Sequence, residues 1–99
     1  MTAAERLTKI KAALYITDSY HDVALQVHID DTMNDMKQSG IAASFVESDA
    51  AVGIILQGVK DIMRLDGGAA DYSQLYKDKV IKAALAHPSD EVQTGGSEA

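Results

Sequence analysis

Glycine and proline most constrain how this chain folds, because both residues interrupt helices and here they stand in only a few places. Of the 99 residues, one is proline and seven are glycine. Gly40 and the Gly67–Gly68 pair lie where helices are expected to end. Between these positions the apolar side chains follow helical spacing, and the alternation typical of strands is nearly absent. The sequence therefore predicts an all-α fold, a small bundle of about four helices.

Caps and apolar spacing predict the bounds of these helices, which are expected over 3–14, 20–38, 49–65 and 72–86. A capping box of Thr2 and Glu5 opens the first helix, and Asp18 and Ser19 offer N-caps for the second. Gly40 closes the second helix as its C-terminal glycine. The core side of that helix is expected to hold four apolar side chains: Leu25, Ile29, Met33 and Met36.

The third helix is expected to be the long apolar centre of the bundle. Ser48 caps it, and ten of the sixteen residues over 50–65 are apolar. Its polar side chains form one stripe that is expected to face water: Gln57, Lys60, Asp61 and Arg64. Gly53 and Gly58 each cost about 1 kcal/mol relative to alanine inside a helix, so they predict the close approach of a neighbouring helix.

The last helix completes the predicted bundle. Asp71 and Gln74 open it, and its core side is expected to consist of Tyr72, Leu75, Tyr76, Val80 and Ala83. Beyond Pro88 the composition changes to small, polar and acidic residues that carry no core. The sequence therefore predicts one helical domain over 1–87 and a flexible, disordered acidic tail over 88–99.

Charge and composition exclude several classes of function. Fifteen acidic residues stand against nine basic ones, a net charge of -6, which disfavours binding to nucleic-acid phosphates or anionic membranes. The chain has no cysteine, so disulfides, thiolate metal sites and thiol nucleophiles are excluded. No apolar run is long enough to cross a membrane, and the N-terminal segment lacks the pattern of a signal peptide.

Side chains that could support chemistry are few. His28, Asp31 and Asp35 share one face of the second helix, but a fourth metal ligand is missing and a solvated acidic face explains them. The three histidines accompany no nucleophile motif, and Gly67–Gly68 follows a helix rather than opening one, unlike a phosphate-binding loop. We therefore predict a protein with no metal, no cofactor and no enzymatic activity.

The predicted helices carry more apolar surface than one small core can bury. Five apolar side chains lie roughly opposite the core stripes of their helices: Tyr20, Val23, Val27, Ile81 and Leu85. Exposed apolar patches mark interaction sites, and homo-oligomers are their commonest use. We expect these residues to form an interface between copies of the chain. The alternative is that the small bundle buries its long helices on two sides.

Several short patterns follow one another in a defined order over about residues 3–86. They are LTKIKAAL at 7–14, DVAL at 22–25, IDD at 29–31, SGI at 39–41, the Ser48-Asp49 cap of the apolar helix, a Gly/Asp-rich turn, and a final helix with aromatic residues over 72–85. In this order and at this length, the chain resembles the small head-tail connector, or head-completion, proteins of tailed bacteriophages.

The resemblance implies an all-helical subunit that assembles as a ring of about twelve copies. Such a ring lies in the phage neck beneath the portal protein, with a stopper or tail-completion protein below it. The chain is then expected in the virion, and in the host cytoplasm during assembly. DNA passes through the ring without sequence-specific binding. We expect Asp30, Asp31 and Asp35 to line or border the channel, because carboxylates repel phosphates.

Two other classes of function remain open at the level of sequence. Asp18-Ser19 before a helix in a small acidic protein is similar to acyl carrier proteins, in which such a serine receives the phosphopantetheine arm. Here Ile16 and Tyr20 replace the glycine and leucine of that family's pattern, and an N-cap role for Ser19 explains the same residues and is favoured. The third class is a small regulatory or adaptor bundle, which would bind a different protein in a defined stoichiometry.

Overall fold

The computed structural model describes residues 1–65 and 72–89. Within these ranges the chain forms five α-helices: α1 (Ala3–Ala13), α2 (Asp22–Gln38), α3 (Ala43–Val46), α4 (Val52–Leu65) and α5 (Gln74–Ala86). A 3-10 turn over Asp49–Ala51 leads into α4. No strand is present in the described ranges, so the predicted all-α fold is confirmed. Of the tail predicted over 88–99, residues 90–99 lie outside the described residues, as do the Gly67–Gly68 turn and Asp71. Pro88 and Ser89, the first two residues of that predicted tail, instead pack against the fold, and Ser89 is buried.

The N-terminal ends of α1 and α2 differ in how well the sequence predicted them. The capping box is confirmed: the Thr2 N–H donates to Glu5 Oε1 at 2.8 Å, and the Glu5 N–H donates to Thr2 Oγ1 at 3.1 Å. The second helix begins at Asp22, two residues later than expected. The reason is local, because the Asp18 carboxylate accepts the Tyr20 N–H at 2.9 Å and so stabilises a turn instead of capping a helix.

The expectation of a long apolar central helix is not supported. The α3 helix, absent from the prediction, forms just before Ser48, whose hydroxyl donates back to the Phe45 carbonyl at 2.6 Å rather than capping the next helix. The following residues form the 3-10 turn, which leaves 14 residues for α4, fewer than the 17 of α2. Across the described residues, no helix has the length and apolar character needed to cross a membrane.

The core lies where α4 contacts α1, α2 and α5. The predicted core stripe of α2 is confirmed, because Leu25, Ile29, Met33 and Met36 are all buried. In α5, Tyr76, Val80 and Ala83 are buried, Tyr72 is half-buried, and Leu75 is 55% exposed. The prediction for Leu75 is wrong because it lies about 100° around the helix from Tyr76, which points into the core.

Gly58 explains how closely the helices approach one another. A Cβ atom at this position would lie 2.5 Å from Thr32 Cγ2 and 2.9 Å from Tyr76 Cε1, so only glycine lets α4 pack this closely on α2 and α5. The prediction of a close approach is confirmed at Gly58. It is wrong at Gly53, where a Cβ would meet nothing within 4 Å.

The end of α5 is held against the loop that joins α2 to α3. The Ala42 N–H donates to the His87 carbonyl and the Ser89 N–H donates to the Gly40 carbonyl, both at 2.8 Å. Phe45 and His87 stack with their ring centroids 4.1 Å apart. Gly40 adopts a positive φ of 99°, as expected of a glycine that ends a helix.

Candidate interaction surfaces

The chain itself does not bury the five apolar side chains predicted to form an interface. Their exposed fractions are 89% for Tyr20, 80% for Val23, 51% for Val27, 57% for Ile81 and 81% for Leu85. The small bundle therefore does not wrap its long helices on two sides at these positions. Large apolar side chains exposed to this degree are available to a partner.

Four of the five residues belong to two separate surfaces, and Tyr20 lies in the connector that precedes α2. Val23 and Val27 lie on the first half of α2, whereas Ile81 and Leu85 on α5 line a groove that reaches Asp35 on the second half of α2. At 1.5 Å per residue, Val23 is about 18 Å from Asp35 along the helix axis. A contact between two copies can therefore use one of these surfaces on a chain and leave the other surface of that chain exposed.

The first surface is an exposed row on α2, which we call the α2 ridge: Val23, Val27 and Asp31. These residues are four positions apart, so they follow one another along one face of the helix. Asp30 lies beside this row and accepts a hydrogen bond from Gln26 Nε2 at 2.9 Å. The α2 ridge thus passes from aliphatic side chains to negative charge within about two turns.

The second surface is an exposed row on α5, the α5 ridge: Lys77, Ile81 and Leu85. It forms one wall of an open groove of about 450 Å³. Residues across the groove include Asp35 and Ser39 at the end of α2. The α5 ridge has the same four-residue spacing as the α2 ridge, with a charge of opposite sign at one end.

The three aspartates predicted to line a channel are not equivalent. Asp30 and Asp31 are exposed, whereas Asp35 is half-buried and accepts a hydrogen bond from the Tyr76 hydroxyl at 2.9 Å. Asp35 therefore contributes to the contact between α2 and α5. Of the three aspartates, only Asp30 and Asp31 are exposed.

A tyrosine cluster anchors α5 on α2. Tyr72 and Tyr76 stack with ring centroids 4.2 Å apart, and the Tyr72 hydroxyl lies 3.4 Å from Thr32 Oγ1. Burial raises the pKa of Tyr76 well above its ordinary value, and the hydrogen bond to the Asp35 carboxylate acts in the same direction. The tyrosine therefore remains a neutral donor, a structural role rather than that of a general base.

The position of Asp61 was predicted wrongly from the sequence. It was expected to face water, but it is only 4% exposed. Its carboxylate accepts bonds from the Ser73 N–H at 3.0 Å, the Ser73 hydroxyl at 2.7 Å and Gln57 Nε2 at 3.0 Å. Burial favours its neutral form, but these hydrogen bonds and the nearby Arg64 outweigh that effect and lower the pKa of Asp61.

Ser73 is also the residue that caps α5, a role predicted for Asp71 with Gln74. Its hydroxyl accepts the Tyr76 N–H at 3.2 Å, and the helix begins at Gln74. A serine three residues before a buried position was the signal in the sequence. Through Ser73, Asp61 holds the start of α5 against α4.

Arg6 is buried as well, although its burial was not predicted from the sequence. It is 5% exposed, and its Nη2 donates to the Glu47 carbonyl at 3.2 Å, which joins α1 to the end of α3. The available signal was its position one turn before Ile10, on the buried stripe of α1. Arg6 therefore anchors α1 to the end of α3. A cation is favourable at this place because the C-terminal end of a helix carries partial negative charge.

Tyr15 is the most unusual residue of the surface. It follows α1 with a φ of 60°, the only positive φ of a non-glycine residue in the described ranges, and it is 92% exposed. The Tyr15 N–H donates to the Ala12 carbonyl, and the Ile16 N–H donates to the Lys11 carbonyl, which is the glycine-preferring Schellman end of a helix. A residue other than glycine carries backbone strain in this conformation.

The residues behind the other functional classes form no assembled site. Ser19 is exposed in the connector between α1 and α2, where it is not an N-cap because α2 begins at Asp22 after His21. Among the described residues, no group of three histidine, aspartate or glutamate side chains is placed to hold a metal ion. His28, Asp31 and Asp35 therefore form no such group.

Comparisons with known proteins add no assignment to these surfaces. No family model, no curated protein and no solved structure matches the chain. The possible functions of the α2 ridge and the α5 ridge therefore follow from their own geometry and charge.

Proposed function

We propose that the protein is a structural subunit whose copies assemble into a ring, and that this ring forms part of the neck of a tailed bacteriophage. In this role it lies between the portal protein and a stopper or tail-completion protein. The single observation that carries the assembly is the presence of two separate exposed ridges on one chain. The resemblance in the order of sequence elements supports the placement in the neck.

Two different exposed surfaces favour a ring over a simple dimer. A contact between unlike surfaces leaves one of each kind unused at the ends of the assembly, so further copies can add until the rotation closes. A two-fold dimer needs only one self-complementary surface. The α2 ridge and the α5 ridge together are therefore suited to a cyclic arrangement.

The charge of the chain suits a channel through which DNA passes. With a net charge of -6, copies arranged around a channel would repel phosphates and would not hold the genome by electrostatic attraction. Asp30 and Asp31 are the exposed candidates for the channel wall. Asp35 contributes less in this proposal, because its carboxylate is already bound by Tyr76.

The test is to measure the mass of the purified chain over a range of concentrations, with and without the portal ring encoded in the same genome. We expect many copies to add as a ring at one end of the portal, as seen by native mass spectrometry and electron microscopy. A chain that stays monomeric at high concentration and does not bind the portal would contradict the proposal. Mass addition at Ser19 by a phosphopantetheinyl transferase would then favour the acyl carrier class.

A further inference from the structure

We propose that the α2 ridge of one copy docks on the C-terminal end of α4 of a second copy. The receiving surface, which we call the α4 patch, consists of three exposed residues: Lys60, Met63 and Arg64. This inference rests on the proposed self-assembly and names the two surfaces that meet. In the contact, Val27 packs against Met63, and the Asp31 carboxylate pairs with the Lys60 ammonium.

The distribution of charge among the helices selects these two surfaces. In the part of the chain that the structure describes, α2 is the only α-helix that exposes acidic side chains and no basic one; the exposed acids are Asp30 and Asp31. The one lysine of α2, Lys37, is half-buried and pairs with Glu47 at 3.1 Å. Within the same ranges, α4 is the only α-helix that exposes basic side chains and no acidic one. This complementarity favours a second copy as the partner of the α2 ridge.

The exposed lysines of the other helices are less suitable partners for the α2 ridge. On α1, Lys9 follows the exposed Glu5 by four positions, and on α5, Lys82 follows the exposed Asp78 by four positions. A carboxylate at this spacing lies beside the lysine on the helix surface and offsets part of its charge. The other exposed lysine of α5, Lys77, already interacts within its own chain.

The charges of the α4 patch are available to a second copy. Lys60 forms no ion pair with any described residue. The Arg64 side chain is 73% exposed, and its Nη2 lies 4.0 Å from Asp61 Oδ1, which is too far for a hydrogen bond. Asp61 is the one acidic residue of α4, and its buried carboxylate already accepts three hydrogen bonds. No exposed carboxylate of α4 therefore offsets the charge of the α4 patch.

The two surfaces also match in the placement of their apolar side chains. Val27 lies four positions before Asp31, and Met63 lies three positions after Lys60. Each surface therefore presents one apolar side chain and one charge within about one helical turn. Val27 is 51% exposed and Met63 is 41% exposed, so both have apolar surface to bury in the contact. The flexible methionine can adapt its shape to the branched valine.

The two surfaces face in different directions, so they cannot meet within one chain. In the core, Gly58 of α4 approaches Thr32 of α2. Lys60 lies about 160° around α4 from Gly58, and Val27 lies about 140° around α2 from Thr32. Both surfaces therefore point away from the crossing of α2 and α4. Copies that use two such unlike surfaces join head to tail, as the proposed ring requires.

Pairing of like surfaces is disfavoured by their charge. Two α2 ridges would bring carboxylates together, and two α4 patches would bring basic groups together. Asp30 lies beside the α2 ridge and accepts a hydrogen bond from Gln26, so it remains at the edge of the contact as the carboxylate left to face a channel. The α5 ridge takes no part in this contact and remains available for a further contact in the assembly.

The experiment exchanges the two charges of the contact in the full-length chain. Asp31→Lys and Lys60→Glu should each weaken assembly by about tenfold, because each variant places like charges against each other. The two changes combined in one chain should restore assembly, as measured by sedimentation and native mass spectrometry. Asp49→Lys and Lys9→Glu, at exposed positions outside both surfaces, are the matched controls and should leave assembly unchanged. Circular dichroism of each variant verifies that it remains folded.

The outcomes separate this inference from the proposed function. If the wild-type chain assembles but the combined variant assembles no better than the two single variants, the docking is wrong and the proposed function stands. If either single variant assembles as well as the wild type, the docking is again wrong. If the wild-type chain never assembles, with or without the portal ring, both proposals fail.

Discussion

The helix crossing at Gly58 and the connector at Tyr15 differ in how well the residue type suits its position. At Gly58 the smallest residue stands inside a helix because Thr32 and Tyr76 occupy the space that a side chain would need. At Tyr15 a large aromatic residue stands where the backbone favours glycine, and its side chain reaches into solvent.

Packing within the single chain explains the residue type at one of these positions but not at the other. Packing between α2, α4 and α5 fully explains Gly58. The Schellman end of α1 explains the positive φ of Tyr15 but not the choice of tyrosine, because this left-handed conformation costs about 1–2 kcal/mol for a residue other than glycine. Packing therefore selects the residue type at Gly58, whereas the backbone conformation alone would favour glycine at Tyr15.

The largest effect that tests this comparison is expected from alanine at the two glycines of α4. Gly58→Ala should lower the free energy of unfolding by about 2 kcal/mol, because its Cβ overlaps two fully buried side chains that have little room to move. Gly53→Ala, five residues earlier in open space, should raise it by about 0.5–1 kcal/mol. Urea denaturation of both variants measures the difference.

The clash can be located by a second substitution. Thr32→Ser removes the methyl group nearest the added Cβ, so it should recover part of the loss in the Gly58→Ala background. Equal stability of the two single glycine variants would show that the crossing is looser than the distances indicate.

Asp61→Asn is expected to have an effect of similar size, a loss of about 2 kcal/mol in the free energy of unfolding. The carboxylate accepts three hydrogen bonds through its two oxygens, and the amide replaces one oxygen with a donor, which leaves a buried donor without its acceptor. Asp30→Asn is the matched control, since Asp30 also accepts from a glutamine four residues earlier but is exposed. It should change stability by less than about 0.5 kcal/mol.

The pH dependence of stability tests the same site. The pKa of Asp61 is lowered in the folded chain from its ordinary value of 3.8, so the unfolded state takes up a proton first as the pH falls. The stabilisation is fully present well above pH 3.8 and is lost as the pH falls below it. Asp61→Asn should reduce this loss without abolishing it, because the pKa values of Glu5 and Asp18 are lowered as well.

How far the sequence predicted the fold depended on whether a signal was local. The capping box of Thr2 and Glu5 and the stop at Gly40 involve residues within one turn, and both are confirmed. The start of α2 was misplaced because Asp18 supports a turn as readily as a helix cap. The third predicted helix is divided near Ser48, because the Ser48 hydroxyl donates to the preceding Phe45 carbonyl instead of capping the next helix.

The candidate surfaces were predictable in part for the same reason. Helical spacing is sufficient to find Val23, Val27, Ile81 and Leu85 opposite the core, and each is exposed. It could not reveal that Asp61 is buried, because the donors on Ser73 come from another helix. Nor could it separate Asp35 from Asp31, since that difference is set by Tyr76 across the contact with α5.

Tyr15→Gly places at the connector the residue that the backbone conformation favours. It should have a smaller effect than the preceding variants and should stabilise the monomer. Relief of the left-handed strain should raise the free energy of unfolding by up to about 1 kcal/mol, partly offset by the greater freedom of glycine in the unfolded chain. Thermal and urea denaturation measure this change. Tyr20→Ala, at an equally exposed position without positive φ, should leave monomer stability unchanged, so a similar gain there would remove the argument from strain.

The smallest effects on the fold are expected from Val27→Lys and Leu85→Lys, within about 0.5 kcal/mol of the wild type for the monomer. Both side chains are at least half exposed, and a lysine can extend into water from either position without leaving a cavity. Ile29→Lys, half a turn from Val27 and fully buried, is the control and should prevent folding. If Val27→Lys destabilised the monomer as Ile29→Lys does, the α2 ridge would belong to the core and could not be a surface for another copy.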